Sequence, residues 1–120
     1  MSEIIRYGVT KRWSDAVIHN GVVYFVEVPD DLKLDARGQF VQVLEQIQRR
    51  LLEIGSNTTR ILQTTIYLPD SNDLSLFNEL WDAWLPEGHA PSRACIHAKL
   101  AAPGYRVELV VVAAISQERT

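Results

Sequence analysis

The chain has one cysteine, Cys95. No disulfide can form within it and no multi-cysteine metal site can be built. Its three histidines, His19, His89 and His97, have no metal-ligand spacing, so no metal and no metal cofactor is expected. There is no excess of basic charge: 12 Lys and Arg stand against 15 Asp and Glu, a net charge of −3. The electrostatic footprint of a nucleic-acid-binding protein is therefore missing. No apolar run reaches membrane-spanning length, and the opening MSEIIRYGVT is too short and polar for a signal peptide. These absences point to a soluble, cytoplasmic protein with no nucleic-acid or membrane partner. Repeats, low-complexity tracts and linkers are also lacking, so residues 1–120 are read as a single domain.

What is there is enough to fold. Hydrophobic residues make up 47% of the chain, which allows a real core. Ile4 to Tyr7 reads as a short first strand, followed by the polar loop Lys11-Arg12-Trp13-Ser14-Asp15. Ala16 to His19 and Val22 to Val28 are rich in strand formers, and Asn20-Gly21 between them is a hairpin signal because both positions tolerate positive φ. Asp35 is a candidate N-cap. Phe40, Leu44, Ile47, Leu51 and Ile54 then recur at helical spacing with Val43 beside them, and Gly55 ends the helix. ILQTTIYL, residues 61–68, reads as a central strand stopped by Pro69 and Asp70. Ser71 or Asn72 is expected to cap a second helix whose apolar stripe is Leu74, Phe77, Trp81 and Trp84, with Asp73 near its positive end.

The stretch from His89 to Ile115 is the richest in chemistry. It reads as a hairpin of two strands around the turn Ala101-Ala102-Pro103-Gly104. Alternation puts Ala94, Ile96, Ala98 and Leu100 on one face, taken as the core side, and Arg93, Cys95, His97 and Lys99 on the other. Arg93 and Glu108 are charges within mostly apolar strands, so each must be paired, solvated or functional. A structural ion pair between them meets that demand as well as a functional role does.

The expected architecture is an α+β two-layer sandwich, a mixed β-sheet with two helices on one face. The other face, with Val110, Val112 and Ala114, is too apolar to stay wet, and oligomerisation through it is the natural solution.

Pro91-Ser92-Arg93-Ala94-Cys95-Ile96, followed by Val107-Glu108-Leu109, resembles the signature of the reactive intermediate deaminase family (Rid, YjgF-type). The resemblance extends over almost the whole chain. It implies a chorismate-mutase-like fold, a homotrimer and sites between subunits. It also implies an enamine/imine deaminase that hydrolyses 2-imino acids to 2-keto acids and ammonia without a cofactor. In that reading Arg93 holds the carboxylate of the substrate through its planar fork. Glu108 positions or activates the attacking water. Asn78, in FNELWDAW, and Cys95 line the pocket. Asn78 as a solvated surface residue, Cys95 as an inert buried thiol and His97 as a structural histidine are the plain alternatives.

The early family motifs are where the chain departs. Arg12-Trp13-Ser14-Asp15 stands where a Gly-Pro-Tyr-type loop is common. Val26 and Glu27 occupy the region of a substrate-contacting Ser-Gly pair, and Val26 has no hydroxyl. Trp13 and Phe25 are candidates for a bulkier or more apolar pocket wall, and equally for ordinary core and edge residues. The rival reading is a trimer that binds small carboxylates without turning them over. A nuclease or translation-inhibitor role, a label attached to the family, is opposed by the acidic balance. If the hairpin turns at residues 101–104, Glu108 pairs near His97 and Arg93 lies on the order of 13 Å away along the strand. A small imino acid does not span that gap, so Arg93 and Glu108 are expected to meet from neighbouring subunits.

Overall fold

Asn20 and Gly21 both take positive φ, 53° and 77°, and make the tight turn that joins β2 (Ala16–His19) to β3 (Val22–Glu27). β1 (Ile4–Tyr7) pairs with β2 on the outside of this hairpin. The computed structural model describes residues 3–116. Asp35 caps α1 (Ala36–Ile54) by accepting a 2.8 Å hydrogen bond from the Gly38 N–H, and Gly55 closes it at φ 97°. β4 (Ile61–Leu68), α2 (Leu74–Trp84), β5 (Ser92–His97) and β6 (Glu108–Ala114) follow.

The capping of α2 differs from the sequence reading. Ser71 and Asn72 do not cap it. Asp70 does the capping, one turn earlier, accepting from the Asn72 N–H at 2.9 Å to start a short 3₁₀ turn, Ser71–Asp73. Asp73 is not spent on the helix terminus. Its carboxylate takes the Arg106 guanidinium at 2.9 Å.

The six strands form one sheet in the order β1-β2-β3-β6-β4-β5, antiparallel except for β4 and β5. The expected hairpin between β5 and β6 is not formed. β5 runs parallel to β4 at the sheet edge, and β6 lies between β3 and β4. Two forces explain this. α2 supplies the long crossover that a parallel pair needs. β6, apolar on both faces, gains most from a central position with a strand on either side.

The face assignment of β5 is inverted for the same reason. In register with β4, Arg93 stands beside Thr64, Cys95 beside Ile66 and His97 beside Leu68. Thr64, Ile66 and Leu68 are buried beneath the helices, so Arg93, Cys95 and His97 lie on the helix-covered side. Ala94 and Ile96 face the opposite way, and Ile96 is 42% exposed rather than core.

Both helices pack on one face, as expected. Phe40, Val43, Leu44, Ile47 and Leu51 of α1 and Phe77 and Trp81 of α2 cover Val23, Phe25, Ile66, Leu109 and Val111. The other face carries Tyr24, Val26, Tyr67, Val110, Val112 and Ala114, with Tyr24 and Val26 about half exposed. Among the described residues no helix is long and apolar enough to cross a membrane.

Candidate functional site

Arg93 enters the helix-covered face from the edge strand, where α2 only partly shields it. Asn78 and Trp81 are one turn apart on that helix, so both reach the same spot. The Asn78 carboxamide oxygen accepts from Arg93 Nη2 at 2.7 Å, and the guanidinium carbon lies 5.6 Å from the centre of the Trp81 ring. Trp81 in turn stacks on Phe77, which meets Phe40 edge to face. An aromatic column rooted in the core thus fixes the height of the cation and a neutral amide fixes its rotation. Neither neutralises it. Among the described residues Arg93 has no carboxylate partner. A half-buried guanidinium held this way keeps part of its donor fork available for an anion.

Cys95 is the next residue on the same face and is half-buried. Burial pushes its thiol above the ordinary value, while the Arg93 charge and a hydrogen bond from Arg93 pull it the other way. The folded chain therefore holds the thiol proton more tightly than the unfolded chain. This contribution to stability is whole below the ordinary thiol value and is lost as pH rises from there through the raised value of the folded chain. Urea denaturation is expected to show wild type losing more stability than Cys95→Ala between about pH 8 and about pH 10. Equal losses would contradict the assignment. His97 is exposed at the end of this face, with Nδ1 3.3 Å from the Leu68 carbonyl oxygen.

Glu108 is elsewhere. Its register with Tyr67 and the burial of Val107 and Leu109 place it on the open face, half-buried beside Val110. Two strand spacings and three residues separate it from Arg93, on the order of 14 Å between backbones, with side chains on opposite faces. The structural ion pair that the sequence left open is therefore not made. Among the described residues the Glu108 carboxylate takes part in no ion pair. The structure brings Arg93, Asn78 and Cys95 together and leaves Glu108 apart.

The altered β3 region divides in two. Val26 is 51% exposed on the face that carries Glu108. Glu27 points to the helices, where Gln46 Nε2 donates to it at 2.9 Å and Arg50 Nε at 3.4 Å. Glu27 thus belongs to a cleft of about 190 Å³ lined by Asp30, Gln46, Arg49, Arg50 and Glu53. A second cleft, about 400 Å³, is lined by Pro69 and residues 99–105. Neither includes Arg93 or Glu108. Of the two candidate walls, Phe25 is core, 4% exposed. Trp13 is 61% exposed on a loop locked by Thr10, whose hydroxyl accepts from the Trp13 N–H at 3.0 Å.

Sequence reasoning missed two partners of the site. Trp81 was read only as core, although its spacing from Asn78 was available as a signal. Thr64, in register with Arg93, is 1% exposed and its hydroxyl has no partner among the described residues. Nothing local in ILQTTIYL marks it. Among the described residues no cluster of three or more potential metal ligands occurs.

The family model described as Endoribonuclease L-PSP matches residues 4–115. A RutC family protein of Escherichia coli, YoaB, is 46% identical over 93% of this chain and 98% of its own. The chain belongs to the Rid (YjgF-type) family. A YjgF family protein from Neisseria meningitidis superposes with a TM-score of 0.91 at 39% identity, covering 97% of this chain and 98% of its own. The fold is accordingly the chorismate-mutase-like arrangement of that family. A more distant member, from Rattus norvegicus, is 27% identical over 94% of this chain and 93% of its own, and is named 2-iminobutanoate/2-iminopropanoate deaminase.

Proposed function

We propose that this Rid protein hydrolyses 2-imino acids to 2-keto acids and ammonia, at sites shared between neighbouring copies of a homotrimer. The observation that carries the reading is the Arg93 guanidinium, held by Asn78 and Trp81 at an open edge and without a carboxylate partner among the described residues. It suits the carboxylate of a 2-imino acid. The imine carbon is already electrophilic, so the protein needs to hold the substrate and orient one water. Water adds across C=N to give a carbinolamine, which expels ammonia and leaves the ketone. Glu108 of the adjoining copy takes a proton from the attacking water and returns it to the departing nitrogen. Asn78 and Cys95 complete the carboxylate end. The opposite-face placement of Arg93 and Glu108 supports an intersubunit site, and the apolar face around Val110, Val112 and Ala114 supports the trimer.

Incubation with freshly generated 2-iminobutanoate is expected to release ammonia well above the buffer rate. A protein stabilised against heat by 2-ketobutanoate but releasing no ammonia would favour carboxylate binding without turnover. Val26 is the observation on that side, since it places no hydroxyl on the face of Glu108. Sedimentation is expected to give a trimer, and a stable monomer at micromolar concentration would contradict the shared site.

A further inference from the structure

Glu108 is the first residue of the central strand, and its position is weakly determined by the sheet itself. On the β3 side the pairing ends one residue later, at Leu109 with Glu27, so Glu108 is paired only to Tyr67. Before it come ten residues, 98–107, in neither helix nor strand. A carboxylate at such a strand end must be located by whatever docks the incoming chain.

Two polar groups do this, Gln39 of α1 and Asp73 of the 3₁₀ turn before α2. Gln39, in the first turn of α1 and 1% exposed, uses both ends of its amide. Its Nε2 donates to the Gly104 carbonyl at 2.9 Å and to the Leu34 carbonyl at 3.2 Å, while Oε1 accepts from the Arg106 N–H at 2.8 Å. Gly104, at φ 99°, turns the chain just where Gln39 holds it. From the other side Arg106 donates to Asp73 Oδ2 from Nη2 at 2.9 Å and from Nε at 3.2 Å, and Asp73 is 8% exposed. Val107, fully buried, follows directly.

We propose that Gln39 and the Asp73–Arg106 pair are positioning residues for Glu108, fixing it against the water it activates. The proposal rests on the reading of Glu108 as the water-handling group. Arg93 lies on β5 and its partners Asn78 and Trp81 on α2, and among the described residues no hydrogen bond joins them to this clamp. Loosening it therefore affects the chemical step and spares carboxylate binding.

The test compares Gln39→Met, which keeps the volume but not the hydrogen bonds, with Ser56→Ala. Ser56 donates to the Ala114 carbonyl at the far end of the same strand. In Gln39→Met, amide exchange at residues 107–109 is expected to speed up about tenfold. kcat for imine hydrolysis falls about tenfold to a hundredfold, with KM within about twofold. Ser56→Ala changes neither the exchange there nor kcat. If Gln39→Met does not fold, Arg106→Lys, which keeps the charge and loses one contact to Asp73, is expected to show the same kcat-only loss in milder form. Unchanged exchange and kcat in the folded variants, or a KM effect as large as the kcat effect, would overturn the proposal. A wild-type protein without imine turnover would remove the reading of Glu108, while the exchange data would still decide whether the clamp locates that residue.

Discussion

Arg93→Lys is expected to weaken binding of a 2-keto acid, the product, by roughly tenfold to a hundredfold. Lysine keeps the positive charge, so a purely Coulombic attraction survives. It loses the planar fork that matches a carboxylate, and it loses the broad cationic face that rests on Trp81. The hydrogen bond to Asn78 at 2.7 Å depends on the same geometry. Hydrogen bonds to charged groups contribute about 1.5–3 kcal/mol, which is roughly a tenfold to hundredfold change in affinity. Calorimetric titration with 2-ketobutanoate measures it directly. Because Arg93 has no carboxylate partner among the described residues, the stability cost is expected to be confined to the weakened contacts with Asn78 and Trp81, with no ion pair broken. Unchanged affinity with a lowered melting temperature would assign Arg93 to the architecture instead.

Glu108→Gln is expected to separate in the opposite sense. General acid–base groups contribute about a hundredfold to ten-thousandfold to rate, so kcat should fall by that order while 2-ketobutanoate affinity is retained. Stability should hold or rise, since the substitution removes a charge that has no ion-pair partner among the described residues from a half-buried apolar face. A structural carboxylate would behave otherwise, with stability falling and turnover per folded protein unchanged. Steady-state kinetics and thermal melts on the same preparation decide between these outcomes.

Much of the fold was legible because its causes are local. Asn20-Gly21 dictates a turn through the backbone freedom of two residues, and Asp35 and Gly55 bracket α1 through contacts within one helical turn. Asn78, singled out through the family resemblance, is the residue of α2 that Arg93 meets. The errors arise where the cause is distant. Pro103 and Gly104 do turn the chain, but a turn does not choose a strand's partner. The partner of β5 is β4, on the far side of α2. Alternation divides Arg93 and Cys95 from Ala94 and Ile96 but does not say which set the helices cover. The conclusion that Arg93 and Glu108 lie too far apart within one chain stands, on different grounds: they occupy opposite faces of the sheet rather than distant rungs of a hairpin. Gln39, Gln46 and Thr64 were invisible as buried polar residues, because their neighbours in space are remote in sequence.

The most direct test of the shared site is complementation between two inactive proteins. Arg93→Ala and Glu108→Ala subunits, mixed in equal amounts and allowed to exchange, give closed trimers in which about a quarter of the interfaces join an intact Arg93 to an intact Glu108. Imine hydrolysis is expected to recover to about that fraction of the wild-type rate per site. Mixed trimers no more active than either parent, with subunit exchange verified by mass spectrometry, would contradict a site built from Arg93 of one copy and Glu108 of the next.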